Sequence, residues 1–374
     1  MTGTRAEFGL MLTTLASIRR QPALELQIVA TGMHLDPRHG DALGAIRREG
    51  FRLNAVVRWP ASSGRSPSTN AINTGSAIAA LAATFRRLRS DIVLVVGDRV
   101  EAFAAAAAAH LSHVLVAHVH GGDRALGQID DSLRHAITKL AHVHFAATRE
   151  SARRIHRLGE AESRIFCVGS PGNDCIRELA APRQQIAALF PRVAPSRFAL
   201  VLLHPAGANA RLERRRAELV LRVLKASPIP HLVVLYPNND PGCSGIIQAW
   251  RRAAGDPSLT ILRDLPRGVF LGLMRDAAML VGNSSAGIIE AASFRVAAID
   301  IGPRQAGRQR PPNVFHCDYD QRAISRLIAR VWNRGRPLRP AAGCVYSSNG
   351  AGRRIASVLS RLRSRKLAEK LIIY

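Results

Sequence analysis

Short apolar runs alternate with amphipathic stretches along the whole chain. Unbroken apolar runs such as Ile92–Val96 and residues 198–203 are typical of parallel strands that are buried on both faces. Between such runs, segments such as Val100–Leu111 have the length and composition of helices. This alternation predicts an α/β fold in which helices cover parallel sheets.

The pattern assigns most of the chain to strands and helices. The predicted strands cover residues 26–31, 92–96, 114–120, 143–147, 165–168, 198–203, 231–235, 259–262 and 278–281. The predicted helices cover residues 10–19, 75–88, 100–111, 149–158, 209–225, 244–253, 267–275 and 286–293, and one more opens at Asp130. Residues 58–74, which contain Ser, Pro, Gly and Asn, predict a loop or lid.

At 374 residues the chain is too long for one ordinary core, and the alternation restarts after a break. We expect two doubly wound Rossmann-like domains that face a cleft. The first covers residues 1–179 and carries the acid/base residues, residues 180–196 form a linker, and the second domain covers residues 197–349. Residues 350–374 read as a basic helix that we expect to pack back on the first domain.

The first turn, residues 2–9, has no apolar strand before it. A doubly wound sheet needs a strand at that place, since the strand supplies several buried side chains. We therefore expect either that the start lies upstream or that this edge of the domain is rebuilt.

The formal net charge of +26 raises nucleic acid or an anionic membrane as partners. However, the cationic residues are spread over the whole length, only four of the 53 are lysines, and the aromatic content of 5% is low for base stacking. Arginine-rich solvated surfaces fit better than specific nucleic acid binding. A non-catalytic polyanion-binding protein stays open as an alternative.

Several other classes are disfavoured. There is no apolar run of 18 residues and no signal peptide, so we expect a cytoplasmic protein without membrane insertion. The five cysteines lack CxxC spacing, which argues against a disulfide frame and a zinc ribbon. His-X-His pairs suggest a metal, but no third ligand has a recognisable spacing, and no GxSxG motif indicates a nucleophilic serine.

The stretch from His118 to Leu140 concentrates titratable side chains at the end of a predicted strand. The carboxyl ends of parallel strands share one edge of the sheet, where α/β proteins bind their ligands. Purely structural alternatives are an ion pair of Asp98 with Arg99, and helix-end electrostatics of Asp130 and Asp131 with Arg134 and His135 one turn later. The candidates for acid/base chemistry are Asp98, His120, Asp123 and Asp130.

Residues 282–287 form a small-residue turn at a predicted helix start, which suits either a pyrophosphate or an ordinary serine N-cap. One turn later, Glu290 is placed to reach ribose hydroxyls. Arg304 and Arg308 are placed to pair with phosphate oxygens, although either can be a surface residue.

Five motifs carry a family resemblance. They are GDR at 97–99, HVHGGD…IDDSLRHAITKLAH at 118–142, HP at 204–205, GNSSAGIIEA at 282–291 and RQAGR at 304–308. Together they resemble the hydrolysing UDP-N-acetylglucosamine 2-epimerase family, from Thr2 to about Val314. The block RHAITKLAH is the most specific part.

The resemblance implies a GT-B-like fold that holds UDP mainly in the second domain. The implied reaction eliminates UDP to a 2-acetamidoglucal-like intermediate and then adds water, which gives N-acetylmannosamine or a close analogue for sialic or legionaminic acid synthesis. No metal or redox cofactor is implied. By position, Asp98 and Asp130 match acidic site residues. The remaining matches to substrate-binding positions or motifs are Arg5, His34, Arg99, His204, Asn283, Ser284, Ser285, Glu290 and Arg304.

The chain departs from the family pattern in two motifs. Many members carry Glu at the position of His120, and the HxHGG variant is similar to the bacterial branch that includes enzymes acting on UDP-diacetylbacillosamine. The segment after His204 lacks the hydroxyl residue usual behind the proline. We predict a hydrolysing 2-epimerase that forms a dimer or tetramer, with a GT-B-type UDP-sugar glycosyltransferase as the enzymatic alternative.

Overall fold

The structure, a computed structural model, describes residues 1–36, 41–59, 67–126, 129–195, 197–332, 344–347, 350–362, 370 and 373. It divides into two compact units. Unit 1 comprises Met1–Arg124, Gln128–Asp174 and Tyr346–Tyr374, and unit 2 comprises Ala125–Gly127 and Cys175–Val345. Each unit is an α/β structure built on parallel strands, which confirms the predicted fold class.

Unit 1 contains two parallel sheets, β1-β2 and β3-β4-β5-β6. Its strands are β1 Val29–Ala30, β2 Ala55–Val56, β3 Ile92–Val96, β4 Leu115–Val119, β5 Val143–Ala146 and β6 Ile165–Cys167. Its helices are α1 Arg5–Arg19, α2 Ala42–Arg48, α3 Pro67–Leu88, α4 Val100–Leu111, α5 Ile129–Leu140, α6 Arg149–Arg157 and α14 Ala351–Arg361.

Unit 2 contains one parallel sheet of six strands in the order β12-β11-β10-β7-β8-β9. The strands are β7 Phe198–Leu202, β8 His231–Leu235, β9 Leu259–Leu262, β10 Met279–Gly282, β11 Ala297–Ile301 and β12 Val314–Cys317. The helices are α7 Ile176–Leu179, α8 Arg183–Leu189, α9 Ala210–Lys225, α10 Cys243–Arg252, α11 Arg267–Asp276, α12 Ser285–Ile289 and α13 Gln321–Trp332.

The first residues of unit 1 lie between β1 and β3. Thr2 forms a parallel bridge with Ala30, and its N–H donates to the carbonyl of Val29 at 2.9 Å. On the other side, the amino group of Met1 donates to the carbonyl of Leu94 at 3.1 Å. This short bridge occupies the place where the sequence pattern lacked an apolar strand.

Helices α1 and α3 begin earlier than the sequence pattern predicted. Helix α1 begins at Arg5 instead of residue 10, because the side chain of Thr4 caps it by accepting from the N–H of Glu7. Helix α3 begins at Pro67, so residues 67–74 are helical instead of a loop, since proline suits the first turn of a helix. Residues 60–66 of that expected loop lie outside the described residues.

The stretch 180–196, which we expected to be a linker, contains helix α8, and Ile186 of this helix is buried in the core of unit 2. The main segment of unit 2 begins at Cys175. The basic helix expected over residues 350–374 ends at Arg361, and residues 363–369 lie outside the described part of the chain.

Helix α14 packs closely on α1 within unit 1. A Cβ at Gly352 would lie 2.8 Å from the backbone nitrogen of Thr14, so only glycine permits this approach. The buried carboxylate of Asp174 accepts from the backbone N–H groups of residues 350, 351 and 352 and so caps the start of α14. No helix within the described residues has the length and apolar character needed to cross a bilayer.

Candidate active site

A tight turn follows β4 at the carboxyl edge of the four-stranded sheet of unit 1. His120 adopts a left-handed backbone with φ +63°, and Gly122 has φ +73°. A Cβ at Gly121 would lie 2.9 Å from Nδ1 of His118, and one at Gly122 would lie 2.3 Å from the carbonyl oxygen of Ser151. The two glycines are therefore required for a path that brings Asp123 back beside His120.

Asp123 and His120 form a buried pair. Nδ1 of His120 is hydrogen-bonded to Oδ2 of Asp123 at 3.0 Å, and Nε2 is hydrogen-bonded to Oγ of Ser170, also at 3.0 Å. The second carboxylate oxygen of Asp123 accepts from the hydroxyl of Ser151 at 2.8 Å. Both ring nitrogens and both carboxylate oxygens thus have partners, which come from the turn after β4, the first turn of α6 and the segment after β6.

Arg134 binds two carboxylates and a backbone carbonyl at this edge of the sheet. Its guanidinium forms an ion pair with Asp98 and donates to Oδ1 of Asp131 at 3.1 Å and to the carbonyl of Asp123 at 3.0 Å. Arg134 is only 1% exposed. Because a buried charge is costly unless it is paired, this cation holds the end of β3, the turn after β4 and the first turn of α5 together.

The expected ion pair of Asp98 with Arg99 is replaced by the pair with Arg134. Arg99 is instead paired with Glu101 at 3.3 Å. Arg99 is the residue before helix α4 and Glu101 lies in its first turn, which places the two side chains beside each other.

His118 supports the same edge from within the core. Its Nε2 is hydrogen-bonded to the carbonyl of Gly97 at 2.8 Å, and its Nδ1 is 3.2 Å from the hydroxyl of Thr138. Burial lowers the pKa of His118 to about 3, so the ring is neutral at physiological pH. His118 therefore links strand β4 to the turn that carries Asp98 and to helix α5.

The two candidates near β1, Arg5 and His34, lie close enough to interact electrostatically. His34 is buried, and its Nε2 is hydrogen-bonded to the hydroxyl of Thr2 at 2.9 Å. Burial, and next the charge of Arg5, lower the pKa of His34 to about 4. Glu7 lies on the same helix as Arg5, and burial raises its pKa to about 7. A neutral imidazole and a cation thus share this part of unit 1.

In unit 2, Asn283 connects the ends of β7 and β10. Its side chain accepts from the N–H of His204 at 2.7 Å and donates to the carbonyl of His204 at 2.8 Å. Nδ1 of His204 in turn accepts from the N–H of Asn238 at 3.1 Å, which fixes the ring. Asn283 is fully buried, and its amide oxygen and nitrogen both bond to the backbone of His204. This position indicates that Asn283 stabilises the turn at His204.

The remaining candidates of unit 2 follow β10 and β11. Ser284 caps α12 through its hydroxyl, Ser285 is the first residue of that helix, and both are half-buried. Arg304 donates to the carbonyl of Asn283 at 3.4 Å and lies 3.5 Å from Asp240. Glu290 ends α12, is buried, and forms an ion pair with Arg267.

The structure therefore brings the sequence candidates into three groups. Asp98, His120 and Asp123 form the network around Arg134, with Asp130 half-buried in the first turn of α5. Arg5 and His34 form the second group. The third group, in unit 2, consists of His204, Asn283, Ser284, Ser285 and Arg304, while Glu290 pairs with Arg267 at the other end of α12.

Four members of the unit 1 network had no assigned role in the sequence analysis. The sequence signal for Asp131 and Arg134 was their spacing at the start of a predicted helix, next to Asp130. Ser151 and Ser170 lie 28 and 50 residues from their partners, and no motif marks them. Among the described residues, no group of three His, Cys, Asp or Glu side chains is arranged to hold a metal ion.

Comparison with known proteins decides the family. Residues 16–360 match the family model described as UDP-N-acetylglucosamine 2-epimerase. The chain belongs to the UDP-N-acetylglucosamine 2-epimerase family. This confirms the resemblance carried by the sequence motifs.

Curated relatives of this 2-epimerase family cover most of the chain. One is a hydrolysing UDP-N,N'-diacetylbacillosamine 2-epimerase from Legionella pneumophila, 33% identical over 89% of this chain and 88% of its own. Another is a UDP-N-acetylglucosamine 2-epimerase from Neisseria meningitidis, 31% identical over 90% of this chain and 87% of its own.

Solved structures of 2-epimerases share the fold. The Neisseria meningitidis enzyme bound to UDP-GlcNAc superposes with a TM-score of 0.80 at 16% identity, over 96% of this chain and 98% of that chain. The Methanocaldococcus jannaschii enzyme in complex with UDP-GlcNAc and UDP gives a TM-score of 0.76 at 18% identity, over 96% and 98%.

Proposed function

We propose that the protein is a hydrolysing 2-epimerase that releases UDP from a UDP-linked 2-acetamido sugar and yields the free sugar with inverted C2. The product is N-acetylmannosamine or its diacetylated analogue, for sialic or legionaminic acid synthesis. The observation that carries the proposal is the Arg134 network, which joins Asp98 and Asp131 to the turn of His120 and Asp123 in a member of this family.

The chemistry needs two proton transfers at C2. A base removes the C2 proton while the bond from C1 to the UDP oxygen breaks, and the electron pair of the C2–H bond forms the C1–C2 double bond. Water then adds its hydroxyl to C1, and a proton is delivered to the other face of C2. A group that performs such a transfer must come within hydrogen-bond reach of the carbon it serves.

Exposure separates two pairs of side chains in the Arg134 network. The side chains of Asp98 and Asp131 are 23% and 17% exposed, whereas those of His120 and Asp123 are 10% and 3% exposed. We therefore assign direct contact with the sugar to the Asp98 side of the network, with Asp130 beside it. His120 and Asp123 act from within, as a hydrogen-bonded pair behind those carboxylates.

Unit 2 is proposed to hold the nucleotide. Arg304 and His204 place a cation and an imidazole around the turn after β10, where Ser284 and Ser285 add hydroxyls. Such groups stabilise the negative charge that develops on the departing diphosphate. Glu290 would bind the ribose hydroxyls, with Arg267 holding its carboxylate in place. Arg5, His34 and Arg99 complete the proposed contacts, on the sugar side.

The proposal includes no metal or redox cofactor, because the steps involve only proton transfer and the departure of a diphosphate.

Nucleotide sugars are made from intracellular nucleoside triphosphates, so we place the enzyme in the cytoplasm. We also propose a homo-oligomer, a dimer or tetramer, which sedimentation velocity would test.

The test is incubation of the purified protein with UDP-N-acetylglucosamine or UDP-N,N'-diacetylbacillosamine, in the absence of any acceptor. Release of UDP together with a 2-epimerised free sugar, followed by proton NMR, is the expected result. A glycosyltransferase would release no 2-epimerised sugar under these conditions. Asp98→Asn should abolish most of the turnover of the preferred substrate.

A further inference from the structure

Ser170 is a buried serine in the turn after β6. It has no exposed surface, and its hydroxyl lies 3.0 Å from Nε2 of His120. Its backbone is fixed on both sides, because its N–H donates to the carbonyl of Tyr346 at 3.1 Å and its carbonyl accepts from the N–H of Asn173 at 3.0 Å. The hydroxyl is therefore held against one nitrogen of the imidazole.

The other nitrogen of the ring decides which tautomer this contact selects. The carboxylate of Asp123 faces Nδ1 at 3.0 Å and is an acceptor, so Nδ1 carries the proton. Nε2 is then left with a lone pair, which accepts from the Ser170 hydroxyl. The order serine, histidine, carboxylate is the one found in hydrolase triads.

Burial excludes a role for Ser170 as a nucleophile, which is the role of the serine in hydrolase triads. Ser170 has no surface that a substrate can reach, and His120 is 8% exposed. A hydroxyl, however, can both donate and accept. It can donate to Nε2 of the neutral ring and accept from Nε2–H of the protonated ring, so the imidazole stays in place in either state.

We infer that Ser170 is a positioning residue for the 2-epimerase reaction, acting through His120. Its hydroxyl keeps the imidazole in one orientation, with the tautomer that Asp123 selects, and through the His120–Asp123 pair it keeps the Arg134-linked edge arranged for the sugar. The inference rests on the proposed function. Ser151, which donates to the far oxygen of Asp123, does not contact the ring nitrogens and so does not orient the imidazole directly.

The first test measures the tautomer directly. In long-range proton–nitrogen spectra of the nitrogen-15-labelled protein, the His120 signals are identified by their loss in His120→Asn. The expected result is a protonated Nδ1 and an unprotonated Nε2 in the wild type, with a second ring state in Ser170→Ala. A wild-type ring protonated at Nε2 instead would overturn the inference, whether or not Ser170→Ala folds.

The second test measures turnover. Ser170→Ala should lower kcat by about 10²-fold with KM little changed, since misplacement of a catalytic arrangement acts on the transition state. Ser170→Thr, which keeps the hydroxyl, should recover most of the rate, and Ser112→Ala, at an exposed serine of unit 1, should match the wild type. A Ser170→Ala protein as fast as the wild type would overturn the inference.

A wild type that releases UDP from neither sugar contradicts the proposed function, whereas an active wild type with an equally active Ser170→Ala contradicts only the role of Ser170.

A fluorophosphonate probe separates positioning from nucleophilic attack. We expect no label on Ser170, and covalent labelling of Ser170 would overturn the positioning role.

Discussion

The guanidinium of Arg134, on helix α5, forms an ion pair with the carboxylate of Asp98 in the turn that follows strand β3. The two residues are 36 positions apart, and the cation is almost completely buried. The same guanidinium also binds Asp131 and the carbonyl of Asp123. A single side chain thus sets the positions of three segments that carry candidate acid/base groups.

Removal of this cation should affect both stability and turnover. Arg134→Ala leaves the partly buried carboxylates of Asp98 and Asp131 without this cation, so we expect a loss of at most about 3–5 kcal/mol in the free energy of unfolding. Arg134→Lys keeps the charge but not the planar fork, and should retain more stability while still losing kcat. Urea denaturation and UDP release measure the two effects.

The matched control is Arg153→Ala, at an exposed arginine of helix α6. It should leave both quantities near the wild-type values. If Arg134→Ala were as stable as Arg153→Ala, the proposed central position of Arg134 would be wrong.

Asp123→Asn should impair catalysis with little change in shape. An amide that donates to Nδ1 reverses the tautomer of His120, which in triad enzymes is a severe defect. We expect kcat to fall by about 10²–10⁴-fold, within the range known for lost acid/base function. The rate of UDP release is the measurement, with Asp91→Asn, at an exposed aspartate before β3, as the control. Equal rates in the two variants would refute the role of Asp123.

Gly122→Ala should destabilise the turn after β4 for two separable reasons. The residue has φ +73°, and the new Cβ would lie 2.3 Å from the carbonyl oxygen of Ser151. Gly50 has a similar φ of +76°, but a Cβ there meets nothing within 4 Å. Gly50→Ala should therefore cost only the left-handed backbone term, about 1–2 kcal/mol, and Gly122→Ala clearly more.

Thermal or urea unfolding of the two glycine variants gives the difference. If Gly50→Ala were as destabilising as Gly122→Ala, the steric requirement at Gly122 would not hold. Reduced UDP release in Gly122→Ala is also expected, because the turn sets the position of Asp123.

Acid should destabilise the protein partly through His118. Its pKa is about 3 when folded against an ordinary value of 6.5, so below 6.5 the unfolded chain binds a proton that the folded chain does not. Stability contributed by the neutral ring is therefore present above pH 6.5 and lost as the pH falls toward 3. The slope from one such group is at most about 1.4 kcal/mol per pH unit.

His118→Gln removes this titration while His34, whose pKa is also lowered, remains in both proteins. Urea denaturation between pH 7 and pH 4 should give a smaller slope for the variant, even if the variant is less stable at pH 7. Identical slopes would mean that His118 is protonated in the folded state.

Buried parallel strands such as β3 and β7 leave unbroken apolar runs. Hydrophobic patterning therefore predicted nine of the twelve strands among the described residues, but not β2, β11 and β12. It missed α8 and α13, whose many polar residues hide an apolar stripe that includes Ile186 and Ile328. The acidic and imidazole candidates were predicted because α/β proteins bind their ligands at the carboxyl ends of the parallel strands. The pairing of Arg134 with Asp98 and the contact of Ser170 with His120 were not predicted, since they depend on how segments distant in the sequence meet.

The most direct test of the proposed C2 chemistry is turnover in deuterium oxide, with proton NMR and mass spectrometry of the released sugar. Removal of the C2 proton and delivery of a new one from the enzyme predict one deuterium at C2 of the 2-epimerised product. We expect Asp98→Asn to form this deuterated sugar at a strongly reduced rate. A released sugar that keeps its original C2 hydrogen, or UDP release without epimerisation, would contradict the assigned reaction.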